Sequence, residues 1–248
     1  RTGDEEANLT RAIELVDQAC ADGASIVSLP EIFTSAFEYD YMKRIAKPIP
    51  NRITDALAER ATRYGCVVVA GSIPELHDGK VYNTAVVISP NGSILGTYRK
   101  SHLFPLMDED KHLAPGNGLG LFDTPLGRIG VMICYDVRFP ELARRLVLDG
   151  ARFIVMPAQF PKPRLDHWLT LTRARAIENQ VFLAAVNRTG DYGRSSFFGH
   201  SVVYDPWGEI LSELGEEEGI GTAWIDLSLV DTVREKLPCF PMRREDLY

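Results

Sequence analysis

The strongest constraint on how this chain folds is the recurrence of very short apolar runs closed by Pro or Gly and separated by segments of helical periodicity. Ala24–Pro30 (ASIVSLP) and Cys66–Ala70 (CVVVA) are such runs, each the length of a buried strand rather than a helix. Ahead of the first, Leu9, Ile13, Val16 and Cys20 recur at helical spacing, with Asp4 as N-cap and Gly23 as the stop. Ahead of the second, Pro50 and Asn51 open a helix that runs to Tyr64 and stops at Gly65. The order helix, strand, helix, strand predicts a layered α/β architecture.

Hairpin signals follow. Val81–Ile88 and Ser93–Tyr98 flank Pro90-Asn91-Gly92, and Phe122–Thr124 and Arg128–Ile133 flank Pro125-Leu126-Gly127. A helix over Pro140–Leu148, a strand over Phe153–Met156, a helix over Leu165–Asn179 and a strand over Val181–Val186 come next. Strands are expected at His200–Tyr204, Glu209–Leu211 and Thr222–Ile225, and a polar helix and tail close the chain. No repeat or linker divides the sequence, so one domain over residues 1–248, with mixed sheets covered by helices, is expected.

Composition narrows the function. Twenty-seven Lys+Arg against 34 Asp+Glu leave a net charge of −7, which argues against a nucleic-acid partner, whose phosphates need clustered cations. No apolar run is long enough to span a bilayer, and the first dozen residues are too polar for a signal peptide, so no membrane partner and a cytoplasmic location are expected. Cys20, Cys66, Cys134 and Cys239 form no C-x-x-C pair and read as reduced thiols. The five histidines lack metal-ligand spacing, so no metal is expected.

Reactive groups in α/β sheets gather beyond the carboxyl ends of strands. Glu31 follows one predicted strand, Lys100 another, Cys134 terminates a third, and Asn187 and Arg188 follow a fourth. If these strands share a sheet, a carboxylate, an ammonium and a thiol reach one edge. Each alone is ordinary, but together they are complementary. A thiol is mostly protonated at neutral pH and needs a base, while an ammonium favours thiolate and later an oxyanion.

Three stretches carry a family resemblance: LPEIF (Leu29–Phe33), YRKSHLF (Tyr98–Phe104) and GVMICYDVRFPEL (Gly130–Leu142). They resemble the signature segments of the nitrilase superfamily of carbon–nitrogen hydrolases, and the likeness extends through His167–Gln180, Asn187-Arg188, Phe197–Ile210 and the terminal RREDLY. The resemblance implies a four-layer α-β-β-α sandwich, no metal or organic cofactor, and a homo-oligomer, a dimer or larger. It implies Cys134 as nucleophile, Glu31 as general base, Lys100 as oxyanion stabiliser and Glu109 as a second active-site glutamate. The backbone N–H of Tyr135 would be the second oxyanion donor, with Arg138 and Glu141 bracing the nucleophile turn.

Within that superfamily the chain is most similar to omega-amidases, which hydrolyse ω-amides of dicarboxylic acids such as 2-oxoglutaramate. A free carboxylate on a small-molecule substrate needs a cation, for which Arg173, Arg175 and Arg188 are candidates. Phe37 and Asn187 are further candidates to line the substrate site, Phe37 standing where omega-amidases carry Tyr. The Pro-rich Ala158–Pro163 is more similar to bacterial members. The remaining alternatives are a nitrilase using the same residues, a Cys–His enzyme with His102, His112, His167 or His200 as base, and an idle binding protein.

Overall fold

The computed structural model describes residues 3–193 and 195–247, so Arg1 and Tyr248, the two ends of the sequence, lie outside the described residues. The first half of the chain runs α1 (Glu5–Ala21), β1 (Ile26–Ser28), α2 (Tyr39–Ile45), α3 (Arg52–Tyr64), β2 (Val67–Val69), β3 (Ile73–His77), β4 (Lys80–Ile88), β5 (Ile94–Arg99) and the short α4 (Glu109–His112). The second half runs β6 (Leu121–Thr124), β7 (Gly127–Val131), α5 (Pro140–Leu148), β8 (Phe153–Ala158), α6 (Leu165–Asn179), β9 (Phe182–Asn187), β10 (Thr189–Tyr192), β11 (Ser195–Phe198), β12 (Val202–Tyr204), β13 (Ile210–Glu213) and α7 (Ser228–Lys236).

Local signals set many of these bounds. The Asp4 carboxylate accepts from Ala7 N and starts α1. Asn51 caps α3 in a reciprocal box with Thr54, and Gly65 ends it in the left-handed conformation that a residue without Cβ adopts at no steric cost.

Two sheets result. In the first, β1 lies parallel to β2, and β4 is the hub. Its residue Ile88 pairs with both β2 and β5, and Thr84 with both β3 and β5, so β2 and β3 share one edge of β4 and β5 takes the other. The second sheet has the order β13-β12-β9-β8-β7-β6, with a parallel centre of β7, β8 and β9.

The period of two along a strand explains how the layers stack. Val67 and Val69 of β2 and Ala85 and Val87 of β4 enter the core shared with Ile129, Val131 and Val155 of the second sheet. Their neighbours Val68, Val86 and Ile88 face the other way, onto Leu9 and Val16 of α1 and Leu57 and Ala61 of α3. On the far side, Leu142 and Leu146 of α5 and Trp168 and Ala176 of α6 cover the second sheet. Both faces of each sheet are therefore apolar, and the fold is the four-layer α-β-β-α sandwich. Full burial of a side chain such as Leu57 contributes about 1.5–3 kcal/mol.

Some elements differ from expectation. Residues 222–225 are not a strand: among the described residues no strand pairs with them, and Trp224 is 92% exposed. Strand-favouring side chains make a strand only where a neighbour supplies the ladder. Helix α2, strand β3 and the β10–β11 hairpin were not evident in the sequence. No helix among the described residues is long and apolar enough to cross a membrane.

Candidate active site

Glu31 stands three residues beyond β1, in a turn clamped by the segment that follows β2. Ser72 N donates to Pro30 O, and Ile32 N donates to Ser72 Oγ at 2.9 Å. Gly71 has φ +51°, and a Cβ there would meet Pro30 O at 2.1 Å, so the close approach needs glycine.

Lys100 extends the β4–β5 ladder by one residue, donating from its N to Asn83 O at 2.8 Å. On the far side of that ladder Glu75 accepts two hydrogen bonds from the Arg99 guanidinium, at 2.7 and 2.8 Å, and one from Thr84. Glu109 opens α4 and is tied to Phe104, accepting from Phe104 N at 2.8 Å and donating from its own N to Phe104 O.

Cys134 follows β7 after two further residues and begins a 3₁₀ turn, Cys134–Arg138, at φ +47°. A left-handed φ on a residue with a Cβ is strained and persists only where the surroundings enforce it. Here the enforcing group is Asp136, fully buried, whose carboxylate accepts from Ile133 N, Tyr98 OH, His102 N and the His102 ring. The brace is thus Asp136. Glu141 is exposed, and Arg138 meets the His167 ring and the face of Phe160.

The three segments meet between the ends of the two stacked sheets. Glu31 and Lys100 belong to the first sheet and Cys134 to the second, so the expectation of one shared sheet edge is corrected. Lys100 Nζ donates to Glu31 Oε1 and to Glu109 Oε2, each at 2.8 Å, and the side chains of all three are closed to solvent. Asn83 Nδ2 also bridges the two carboxylates, at 2.8 Å to Glu31 and 3.0 Å to Glu109. Gln159 N donates to Glu31 Oε2 at 2.8 Å, and the Gln159 side chain donates to Glu31 O.

Electrostatics follow from this geometry. Burial disfavours the Lys100 ammonium, but Glu109 and Glu31 outweigh it and hold the amine well above its ordinary value, so it stays charged. Burial raises the Glu109 carboxyl, with Lys100 opposing and Glu31 adding to the rise. Burial also pushes the Cys134 thiol well up, and the Glu31 carboxylate adds to that, while Lys100 and the Gln159 N–H pull the other way. At rest the sulfur is a thiol beside a carboxylate. Such an arrangement moves a proton from sulfur to oxygen as an electrophile arrives and meets the developing oxyanion with an ammonium.

The other sequence-derived candidates divide. Phe37 is buried, with Lys100 Nζ 5.7 Å from its ring centroid. The Tyr135 ring packs against Phe104 and Phe139. Arg173 is turned to Gly208 O, and buried Arg175 binds Val137 O and Glu178, so neither guanidinium is bonded to the cluster. Asn187 is consumed by backbone: it accepts from Phe160 N and donates to Phe160 O and Gly199 O. All three side chains thus donate to backbone carbonyls of distant segments, Gly208, Val137, Phe160 and Gly199.

Arg188 differs. It donates to Gln159 Oε1 at 3.1 Å and to Asp191 O, lies 4.8 Å from the Phe197 ring centroid, and has no carboxylate partner among the described residues. Each histidine proposed as a base is engaged elsewhere: His102 with Asp136, His112 with Lys43, His167 with Arg138 and His200 with Glu213. Among the described residues no group of three or more His, Cys, Asp or Glu could hold a metal ion.

Sequence reasoning missed Asn83, Gln159 and Asp136. For Asn83 a signal existed, a carboxamide two residues before the apolar run Ala85–Ile88 of β4; Gln159, in a loop, offered none.

Comparison with known proteins identifies the family of the chain. Residues 1–235 match the carbon-nitrogen hydrolase family. The omega-amidase NIT2 of Danio rerio is 42% identical over 250 residues, covering 97% of this chain and 90% of the relative. The 2-oxoglutaramate amidase of Bacillus subtilis (strain 168) is 42% identical over 225 residues, covering 91% and 87%. Among solved structures, Saccharomyces cerevisiae Nit3, a member of branch 10 of the nitrilase superfamily, superposes with a TM-score of 0.91 at 33% identity, covering 97% of this chain and 92% of that one.

Proposed function

The chain belongs to the carbon–nitrogen hydrolase family, and from that premise we propose that it is an amidase that releases ammonia from ω-amides of dicarboxylic acids, 2-oxoglutaramate among them, by way of a thioester on Cys134. The observation that carries this reading is the buried Glu31–Lys100–Glu109 cluster set against the Cys134 sulfur.

The steps follow from the groups present. Glu31 takes the Cys134 proton as sulfur attacks the amide carbon. Lys100 Nζ and the Tyr135 N–H receive the oxyanion. Glu31 returns the proton to the departing ammonia, and then activates the water that opens the thioester. Glu109 shares Lys100 and Asn83 with Glu31, and so fixes where the ammonium points.

The distal carboxylate is met by Arg138 and Arg188, whose guanidiniums reach the consecutive residues Phe160 and Gln159, the latter supplying the N–H that holds Glu31. An ion of opposite charge compensates a guanidinium that lacks a carboxylate partner better than a neutral amide does. We read the enzyme as cytoplasmic, in keeping with four free cysteines, and as a homo-oligomer, which light scattering in solution tests.

The deciding experiment measures ammonia release from 2-oxoglutaramate, succinamate, glutamine, asparagine and a simple nitrile, beside a Cys134→Ala control. Release from the first two, absent in the control, supports the reading. Turnover of the nitrile alone replaces it with a nitrilase.

A further inference from the structure

We propose that Asn83 is a positioning residue of the reaction: its carboxamide NH₂, one hydrogen to Glu31 and one to Glu109, holds the two buried carboxylates side by side around Lys100. The inference rests on the amidase reading for its kinetic consequence, though not for its geometry.

Asn83 lies on β4, directly before Thr84, and is fully buried. Its Nδ2 is 2.8 Å from Glu31 Oε1 and 3.0 Å from Glu109 Oε1, whereas its Oδ1 has no hydrogen-bond partner among the described residues. An asparagine kept only for stability uses both ends, since an unpaired buried acceptor is costly. Here the orientation is dictated by the carboxylates. Turning the amide over would aim a carbonyl oxygen at two anions.

The backbone of the same residue also places Lys100, because Asn83 O accepts from Lys100 N. One residue therefore registers all three members of the buried cluster. Its neutrality matters as much as its donors. With Lys100 as the one cation among Glu31, Glu109 and Lys100, the trio carries a formal charge of −1, and Asn83 adds two donors without adding charge. A second cation at position 83 would quench the basicity of Glu31; a carboxylate there would oppose ionisation of both glutamates.

The titratable groups that interact with this site are Lys100, Cys134 and Tyr39, besides the two glutamates themselves. Losing a donor to a carboxylate raises its pKa, so the acid limb of the pH profile moves to higher pH. The test uses Asn83→Asp and Asn83→Ser in the full chain. It records kcat/KM for succinamate against pH and, separately, the rate of Cys134 alkylation by iodoacetamide against pH.

Expected for Asn83→Asp is an acid limb displaced upward by at least one pH unit, with activity on that limb down about tenfold or more. Asn83→Ser, with one donor where two stood, shifts in the same direction by less, and it decides the matter if the Asp variant does not fold. Folded variants whose activity falls while both pH profiles keep their midpoints, or whose activity is unchanged, overturn the proposal. If the wild type releases no ammonia from any amide, the amidase reading fails, and the alkylation profile alone still decides the role of Asn83.

Discussion

Lys100 and Glu31 form an ion pair of 2.8 Å in which neither side chain is open to solvent. Two charges taken out of water seldom repay their desolvation through each other alone. This pair is retained with a second carboxylate on the same ammonium, a carboxamide bridging both acids and a backbone N–H on the remaining Glu31 oxygen. That is an investment in the geometry of the site rather than in stability.

Removing the sulfur tests the chemistry most directly. Cys134→Ala is expected to lower ammonia release by about 10⁴-fold or more, with far-UV circular dichroism and Tm close to wild type because the lost atom is small. Turnover that survives in the purified variant would falsify the thioester route.

Lys100→Met strips the cation from two adjacent buried carboxylates. A loss of about 3–5 kcal/mol in urea unfolding is expected at neutral pH, the cost of uncompensated buried charge. Part of that loss returns as the pH is lowered, because protonation of Glu109, whose carboxyl is already raised, relieves the repulsion. Independently of stability, kcat falls by about 10²–10³ through loss of an oxyanion donor. A variant as stable as wild type at neutral pH contradicts the electrostatic account.

Glu75 and Arg99 predict an acid-side loss of stability. Burial raises the Glu75 carboxyl, but hydrogen bonds from Arg99 and Thr84 and the charge of Arg99 outweigh it, so the folded value lies below the ordinary 4.5. A group depressed on folding contributes stability that is present above the unfolded value and lost as the pH falls through the folded one. Urea midpoints of wild type and Glu75→Gln should therefore differ most above about pH 4.5 and converge below it. A gap that stays constant from pH 7 to pH 3 refutes the assignment.

Arg138 and Arg188 are expected to govern selectivity. Arg138→Met or Arg188→Met should raise KM for succinamate by about tenfold or more, of the order of a lost charged hydrogen bond, and leave butanamide almost untouched. The comparison is a ratio of kcat/KM values on the two amides. Equal losses on both would move these residues to a purely structural role.

Gly71→Ala reports on the turn that carries Glu31. The added methyl meets Pro30 O at 2.1 Å on a backbone already at φ +51°, so the turn must shift. Such strained positions cost of the order of 1–3 kcal/mol, and the displaced base should lower kcat more than it raises KM. Unchanged kcat with lowered Tm would show that Glu31 is held by other contacts.

Much of the fold was legible because its signals are local. Asp4, Asn51 and Gly65 bound their helices through hydrogen bonds or backbone freedom that involve only near neighbours. Leu165–Asn179 is helical as expected. Strand β3 was hidden because three of its five residues are polar or Pro. Residues 222–225 were misjudged because a strand depends on a partner that composition does not reveal.

By itself the sequence determined which chemical groups exist and in what order: a carboxylate, an ammonium and a thiol, each at or just past the end of a predicted strand. It also determined the layering, since alternation along β2 and β4 sorts side chains between two cores. Only the tertiary structure decided that the three groups meet between two sheets instead of along one. It alone recruited Asn83, Gln159 and Asp136, and tied Arg173, Arg175 and Asn187 to distant backbone carbonyls. The reason is physical. Propensity and periodicity act over a few residues, whereas a buried charge is set by whatever distant segments packing brings within 3 Å or so, and any donor they supply there becomes part of the site.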